Sequence, residues 1–277
     1  MRVMAALVLS LSTLAGGEAF AQTVAPEMLG DRVTVERSAR FEVQGTQGPL
    51  VVQVIWPAAP PPPEGYGIIY ALDAGWTLGT LGDVLLLQGS AQAAGPVRPT
   101  VLVGIGWPGP GMIDLARRGP DLAEPAGARA TLGLLSKTIL PRVEATVPVD
   151  PAHRMVLGHS YGGAFALRAG FARPDLFSHV AAGSPSLWAD PEGLGAPPQT
   201  TPRPRVLLTM GGLERPAEAA AAGTDPERVK RLTERDMAGR IEQMARDLGQ
   251  PVIEFPGLSH GASATPFLAA AVAFLWR

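Results

Sequence analysis

Seven short apolar runs, separated by longer amphipathic stretches, constrain the fold of this chain more than any other feature. The runs read VVQVIW, GIIYALD, TVLVGIG, RMVLG, HVAAG, RVLLTMG and VIEF, and they lie between Val51 and Phe255. Continuous apolar runs of this length are typical of parallel strands that helices cover on both faces. Helical patterns lie between them, at residues 77–92, 128–146, 161–172, 226–248 and 264–276. The alternation predicts one α/β domain with a mostly parallel central sheet and helices on both faces.

The first 21 residues have the pattern of a secretory signal peptide. A basic start is followed by an apolar stretch and by Ala19-Phe20-Ala21, which is typical of a cleavage site before Gln22. A membrane-spanning helix is the alternative, but the uncharged stretch at residues 3–17 is too short to cross a bilayer comfortably. We therefore expect a signal peptide at residues 1–21 and a single mature domain at residues 22–277, periplasmic or secreted, with no membrane insertion after cleavage.

The composition excludes several classes of function. The formal net charge of the 277 residues is −2, which gives no reason to expect nucleic acid or an anionic surface as a partner. The chain has no cysteine, so it has no disulfide, thiolate ligand or thiol nucleophile. Its four histidines are not spaced like metal ligands, and no phosphate-binding glycine loop stands out, so we expect no metal and no cofactor. A small-molecule substrate is the expected partner, and nothing in the sequence specifies an oligomeric state.

A serine lies between two glycines at the junction of a predicted strand and a predicted helix. The segment is Gly158-His159-Ser160-Tyr161-Gly162, after RMVL and before GAFALRAGF. Gly-x-Ser-x-Gly in this context is a nucleophile elbow, a strained turn that raises the serine hydroxyl above the sheet edge. Chance alone produces such a match in roughly one of six chains with this glycine and serine content, so the flanking strand and helix carry the inference. Ser160 is the predicted nucleophile.

One histidine suits the role of the base that takes the serine proton. His260 follows VIEF at the carboxyl end of the predicted sheet, and it comes after the serine as in the chain order Ser…Asp/Glu…His. His153 and His179 lie at the opposite ends of their strands, and His159 is expected to point away from the hydroxyl. An ordinary loop histidine is the alternative for His260.

A carboxylate after RVLLTMG and two backbone N–H groups would complete the site. Glu214 is the best candidate for the carboxylate, with Glu218 and Asp225 as rivals, and a solvated loop acid is the alternative. The N–H groups of an oxyanion hole are predicted from Tyr161, just after the nucleophile, and from Gly75, in the loop after GIIYALD.

These segments resemble a known family. IIYALDAGW, VLVGIGWP, the stretch from GHSYGG to SPSLWAD, LLTMGGLE and FPGLSHG are similar to the Putative esterase (esterase D-like) branch of the α/β hydrolases, and within it to siderophore esterases. The resemblance implies an α/β-hydrolase fold and ester hydrolysis with Ser160 as nucleophile and His260 as base. Relatives often carry Gly-Glu-Leu-Glu where this chain has Gly-Gly-Leu-Glu, ending at Glu214, and some are described as Ser-His dyads. A triad and a dyad therefore both stay open.

The resemblance also bears on the substrate. Relatives carry Arg, Asp and Thr-Pro after the GIG strand, in a loop that often holds an acidic or catecholate substrate. Here Arg117, Arg118 and Asp121 are present, but Glu124-Pro125 replaces Thr-Pro, which weakens the transfer of that specificity. The Pro/Gly-rich stretch at residues 107–127, which includes this loop, is the expected mobile cover of the site.

The predicted function is a serine ester hydrolase that acts through an acyl-enzyme, with siderophore-type esters or trilactones as the first substrate class. An aromatic and cationic pocket near the strand ends would bind them, and its candidate residues are Trp76, Trp107, Arg118 and Trp188. Tryptophans that fill the edge of the core are the alternative. A generic carboxylesterase, an acyltransferase and a non-catalytic periplasmic binding protein on a hydrolase fold stay open.

Overall fold

An eight-stranded sheet, with the strand order β1-β2-β4-β3-β5-β6-β7-β8, organises the computed structural model, which describes residues 36–90, 93, 95–109, 111–189 and 203–277. Five of its seven pairs of neighbouring strands are parallel, and only the pairs that involve β2 are antiparallel. The strands are β1 (Ser38–Gly45), β2 (Gly48–Ile55), β3 (Tyr66–Leu72), β4 (Thr100–Gly106), β5 (Val149–His159), β6 (His179–Gly183), β7 (Arg205–Gly211) and β8 (Ile253–Phe255). The mostly parallel sheet predicted from the apolar runs is confirmed.

Helices cover both faces of this sheet, as predicted. They are α1 (Ala74–Gln88), α2 (Leu115–Leu122), α3 (Pro125–Leu134), α4 (Leu140–Glu144), α5 (Tyr161–Ala172), α6 (Pro216–Ala221), α7 (Pro226–Arg235), α8 (Met237–Leu248) and α9 (Ala264–Leu275). Side chains alternate across a strand, and on β3 the buried Ile68, Tyr70 and Leu72 pack with α3, α4, α5 and α8. Ile69 and Ala71 pack on the other face with α1 and α9.

Two local predictions differ from the structure. The predicted helix at residues 128–146 is interrupted by a π-helical turn at Leu135–Ile139, next to Pro141, which lacks the N–H that a regular helix needs. The predicted helix at residues 226–248 is divided between α7 and α8 at Asp236, whose backbone is left-handed with φ of 46°. The stretch at residues 107–127 contains α2 and the start of α3, and its expected role as a mobile cover stays a prediction.

The remaining expectations concern the signal peptide, the single domain and membrane insertion. The expected signal peptide at residues 1–21 lies outside the described residues, so its cleavage and the export of the protein stay predictions. Residues Arg37–Arg277 form one compact unit. Among the helices of the described residues, none combines the length and the apolar character needed to cross a membrane.

The parallel strands decide where a site can form. Because β3, β4, β5, β6, β7 and β8 run in the same direction, their carboxyl ends and the loops that follow them lie along one edge of the sheet. β3 lies beside β5, with Ala71 paired to Leu157, so the turns after these two strands are neighbours. The predicted nucleophile, base, carboxylate and oxyanion-hole residues all belong to loops or helix starts on this edge.

Candidate active site

Ser160 occupies a sharp turn between β5 and α5. Its φ of 59° lies in a region that non-glycine residues rarely adopt, and such strain persists only where the surroundings enforce it. The backbone of the turn is held by hydrogen bonds from the Ser160 N–H to the Gly183 carbonyl at 2.8 Å and from the Ser186 N–H to the Ser160 carbonyl at 3.0 Å. A Cβ atom on Gly158 would lie 2.2 Å from the carbonyl oxygen of Gly162, and one on Gly162 would lie 3.1 Å from Oδ2 of Asp73, so both positions favour glycine.

His260 and Ser160 line the same cavity, of about 360 Å³. The histidine belongs to the loop between β8 and α9, and its Nδ1 lies 3.3 Å from Oε2 of Glu214. The described hydrogen bond of the Ser160 hydroxyl is to the hydroxyl of Ser186, at 3.1 Å. Contacts between a nucleophile and its base are often loose before a substrate is bound, so this arrangement is compatible with proton transfer from Ser160 to His260.

Glu214 lies in a short 3₁₀ turn after β7 and is 1% exposed. Its Oε1 accepts hydrogen bonds from the Ser184 hydroxyl at 2.5 Å and from the Gly211 N–H at 2.9 Å, while Oε2 faces His260. Burial alone would raise the pKa of Glu214, but the hydrogen bonds and the charge of His260, together with the other donors, outweigh it and lower that pKa. The carboxylate is therefore ionised at neutral pH and can orient the imidazole.

The rival acids lie elsewhere. Glu218 is exposed on α6 and lines a separate cavity with Gly212 and Glu254. The side chain of Asp225 caps α7 by accepting the Arg228 N–H at 3.1 Å. Of the three acids considered, Glu214 is the one that the structure brings to His260.

Three serines that the sequence analysis did not assign support these side chains. Ser184 and Ser186 follow β6, and Ser263 precedes α9, and all three are buried. Ser184 contacts the Ser263 hydroxyl at 3.1 Å, and Ser263 donates to the His260 carbonyl at 2.9 Å. A chain of hydroxyls therefore connects Glu214 with the backbone of the His260 loop. The segment SPSLW contained two of these residues, but nothing in its pattern indicated their contacts.

His159 is buried beside the site and carries no positive charge at neutral pH. Its ring lies 4.8 Å from the ring of His260 and 6.1 Å from that of Trp76. Burial, reinforced by the neighbouring His260, lowers the pKa of His159 to about 3. Its Nε2 is buried without a described hydrogen-bond partner. His159 thus packs against the base rather than against the Ser160 hydroxyl.

The predicted oxyanion-hole residues begin two helices. Gly75 lies in the first turn of α1, after β3, and Tyr161 is the first residue of α5, after β5. The first N–H groups of a helix have no intrahelical acceptor, and the positive end of the helix dipole favours negative charge there. The structure therefore places two N–H groups of suitable chemistry on neighbouring turns.

The predicted substrate-binding residues separate into different environments. Trp188 lines the cavity of Ser160 and lies 5.9 Å from the ring of Tyr161. Trp107 lines a second cavity of about 420 Å³ with Gly75 and donates its Nε1–H to Asp121 at 2.7 Å. Trp76 packs against His159 and the core. Arg118 is 8% exposed and donates to the carboxylate of Asp73, and its binding role stays a prediction.

A cationic wall that the sequence analysis missed faces Ser160. Arg228, Arg231 and Arg235 of α7 line its cavity, and the guanidinium of Arg235 lies 4.1 Å from the ring centre of Trp188. The spacing of these arginines places them on one helix face, but only the lining of the cavity shows that this face turns toward Ser160. Within the described residues, no carboxylate lines this cavity and no ion pair involves the three side chains.

The strand order, the elbow serine after β5 and the histidine after β8 define an α/β hydrolase. The profile of the family described as "Putative esterase" matches residues 44–247, and the chain belongs to this family. Within the described residues, no group of three histidine or acidic side chains could hold a metal ion.

Two curated relatives and one solved structure illustrate the likeness. The chain is 29% identical over 193 residues to the ferri-bacillibactin esterase BesA of Bacillus subtilis (strain 168), covering 60% of this chain and 67% of that protein. It is 33% identical over 180 residues to the siderophore triacetylfusarinine C esterase of Aspergillus fumigatus, covering 58% and 60%. The siderophore hydrolase EstB from Aspergillus nidulans superposes with a TM-score of 0.73 at 23% identity, covering 89% of this chain and 97% of that one, which shows the shared fold.

The buried neutral histidines predict a loss of stability on acidification. Burial lowers the pKa of His179 to about 4 and that of His159 to about 3, so below pH 6.5 the unfolded chain binds protons that the folded chain excludes. The stability that this exclusion contributes is complete above pH 6.5 and is lost as the pH falls. Between pH 7.5 and 5.0 we expect the free energy of unfolding in urea to fall by about 2 kcal/mol for each histidine.

The variant His159→Asn isolates one of these two contributions. Asparagine does not titrate, so its free energy of unfolding should fall by about 2 kcal/mol less than that of the wild type over the same interval. The interval ends at pH 5.0 because carboxylates titrate mainly below it. Equal losses in the variant and the wild type would contradict a neutral His159.

Proposed function

We propose that this chain is a serine ester hydrolase that acts through an acyl-enzyme. The observation that carries the proposal is the convergence on one edge of the sheet of a strained elbow serine, a histidine in the same cavity and a buried carboxylate beside that histidine. These are the groups that activate a hydroxyl for acyl transfer, and membership of an esterase family agrees with them.

Each group has a distinct step in the proposed reaction. His260 takes the proton of the Ser160 hydroxyl while the serine oxygen bonds to the acyl carbonyl carbon, and the carbonyl oxygen becomes an oxyanion. The N–H groups of Gly75 and Tyr161 stabilise that charge. His260 then protonates the leaving alcohol, and the acyl-enzyme remains. A water that loses its proton to His260 attacks the acyl-enzyme, which releases the acid and restores Ser160. Glu214 holds the imidazole in the required tautomer throughout.

For the substrate we propose siderophore-type esters that carry negative charge. The curated relatives reported above are named as esterases of ferri-bacillibactin and of a siderophore, triacetylfusarinine C. This chain adds its own support, because the three α7 arginines and Trp188 give the cavity a cationic and aromatic wall without a carboxylate. Such a wall favours an anionic, ring-bearing ester over a small neutral one.

The variant Ser160→Ala tests the nucleophile. We expect the rate of p-nitrophenyl acetate hydrolysis to fall by at least about 10⁴-fold and labelling by a fluorophosphonate probe to disappear, because no other hydroxyl is activated in the same way. Circular dichroism should show an unchanged fold. Ser186→Ala is the control, because its hydroxyl touches that of Ser160 yet should not carry the label. Retained turnover in Ser160→Ala would exclude this mechanism and favour a binding protein.

The variant Glu214→Gln distinguishes a triad from a dyad. Glutamine keeps the size of the side chain but no longer fixes the imidazole tautomer, so we expect kcat to fall by roughly 10²–10⁴-fold per active site titrated with fluorophosphonate. Glu218→Gln, an exposed acid on the neighbouring helix, is the control and should stay within about twofold of the wild type. A loss of less than tenfold in Glu214→Gln would instead indicate a Ser-His dyad.

The cationic wall is tested by removing its three charges together. In Arg228→Gln/Arg231→Gln/Arg235→Gln we expect the KM for p-nitrophenyl hemisuccinate to rise about tenfold, equivalent to about 1.4 kcal/mol, with the KM for neutral p-nitrophenyl acetate within about twofold. Lys230→Gln/Arg240→Gln/Arg246→Gln removes the same net charge from α7 and α8 outside the cavity and is the control. Equal effects of the two variants on both esters would contradict a role of this wall in substrate selection.

A further inference from the structure

A cavity of about 540 Å³ lies at the amino ends of the parallel strands, away from the candidate active site. Tyr66 is the first residue of β3 and Pro148 immediately precedes β5, and both line this cavity. β3 has seven residues, so about 20 Å of strand separate the cavity from the loops at the carboxyl ends. None of the described residues that line it also lines the cavity of Ser160 or that of Gly75. We call it the amino-end cavity.

Aromatic and apolar side chains form much of the lining of the amino-end cavity. Val54, Tyr66 and Val143 are buried, whereas Phe41 and Trp56 are half-buried and pack against the core. The three rings come from β1, from the end of β2 and from β3, so three strands hold them in place. A ligand ring placed among them would leave water and contact other rings, and both effects favour binding.

Two exposed arginines give the same cavity a cationic rim. They are Arg40 of β1 and Arg142 of α4. The guanidinium carbon of Arg142 lies 3.9 Å from the ring centre of Phe41, which is the distance of a stacked guanidinium. Stacking uses the face of the guanidinium and leaves the N–H groups of its edge available. Arg40 is partly engaged, because it donates to the carboxylate of Glu42 at 3.2 Å.

The guanidinium of Arg142 has donors to offer to an anion. In the part of the chain that the structure describes, no ion pair or side-chain hydrogen bond involves it, and no carboxylate lines the amino-end cavity. Arg154 behaves differently, because Glu144 accepts two hydrogen bonds from its guanidinium. Since the ring of Phe41 already restrains Arg142, the binding of an anion would cost it little conformational freedom.

We propose that the amino-end cavity binds a small aromatic carboxylate. The ring of the ligand lies among Phe41, Trp56 and Tyr66, and its carboxylate accepts hydrogen bonds from the edge of Arg142. The planar fork of a guanidinium matches the two oxygens of a carboxylate, which makes such bonds stronger than those of a neutral acceptor. A volume of about 540 Å³ is within the usual range for small-molecule sites and accommodates one or two fused rings. This proposal does not depend on the ester hydrolase function.

Isothermal titration calorimetry with 2-naphthoate as the probe tests the proposal. The cationic wall of the Ser160 cavity could also attract an aromatic anion, so the titrations use the background Arg228→Gln/Arg231→Gln/Arg235→Gln as well as the wild type. Arg142→Gln removes the proposed donor, and its exposure on α4 makes an effect on folding small. Arg246→Gln, an exposed position of α8 outside the amino-end cavity, removes the same net charge and is the matched control.

In the background variant we expect one 2-naphthoate per chain with a Kd on the order of 0.1 mM. Arg142→Gln should raise this Kd about tenfold, because it removes a charge-assisted pair of hydrogen bonds. Arg40→Gln should raise it about threefold, since Glu42 already shares that guanidinium. The neutral isostere 2-naphthamide should bind about tenfold more weakly than 2-naphthoate, and Arg142→Gln should change its Kd by less than twofold. Arg246→Gln should leave both values within about twofold.

Four results would overturn the proposal, and each leaves the proposed ester hydrolase intact. The first is a Kd for 2-naphthoate that Arg142→Gln and Arg246→Gln change equally. The second is binding to the wild type that disappears in the background variant, which would place the probe in the Ser160 cavity. The third is equal affinity for 2-naphthoate and 2-naphthamide. The fourth is a dimer in size-exclusion chromatography that Arg40→Glu/Arg142→Glu dissociates, because the amino-end cavity would then be covered by a second copy of this chain.

Discussion

The close approach of two backbone segments at Ser160 is the constraint on which the site depends. The backbone of Gly162 lies so near Gly158 that Gly158 tolerates no side chain, a side chain on Gly162 would crowd Asp73, and the serine between them is held at a positive φ. The strain is maintained by backbone bonds to the end of β6 and to the turn that follows it. Because the restraint comes from neighbouring strands, the position of the hydroxyl follows from the sheet as a whole.

The two ionisable groups next to His260 are both buried but differ in charge. His159 is enclosed by apolar and aromatic neighbours and remains neutral, because too few of its contacts favour a charge. Glu214 is buried as deeply, yet donors from Ser184, the Gly211 backbone and His260 keep it ionised. The imidazole of His260 therefore lies beside the negatively charged Glu214 and the uncharged His159. The charge of Glu214 favours a positive charge on that ring during proton transfer, and His159 does not oppose it.

The sequence predicted the features that local patterns determine. Apolar runs predicted all the strands from β2 to β8, and the elbow motif together with chain order singled out Ser160, His260 and Glu214, which the structure brings to one edge of the sheet. Features that depend on contacts between distant segments were not predictable in this way. The break at Asp236 is set by a single backbone angle, and the burial of Arg118 depends on Asp73, 45 residues earlier in the chain. The sequence predicted that Arg118 lies near the carboxyl ends of the strands, but it could not show which groups accept hydrogen bonds from its guanidinium.

The difference in packing between α7 and α8 determines where the sequence of this protein can vary. The side chains of α8 pack in the core through Ile241 and Met244, whereas α7 has a single buried residue, Leu232, and presents its arginines to the cavity. Exchanges among the exposed positions of α7 alter the electrostatic character of the cavity while the packed interior is left intact. Substitutions in this short helix can thus change ligand preference with little loss of stability, whereas comparable substitutions around the elbow would disrupt the backbone itself.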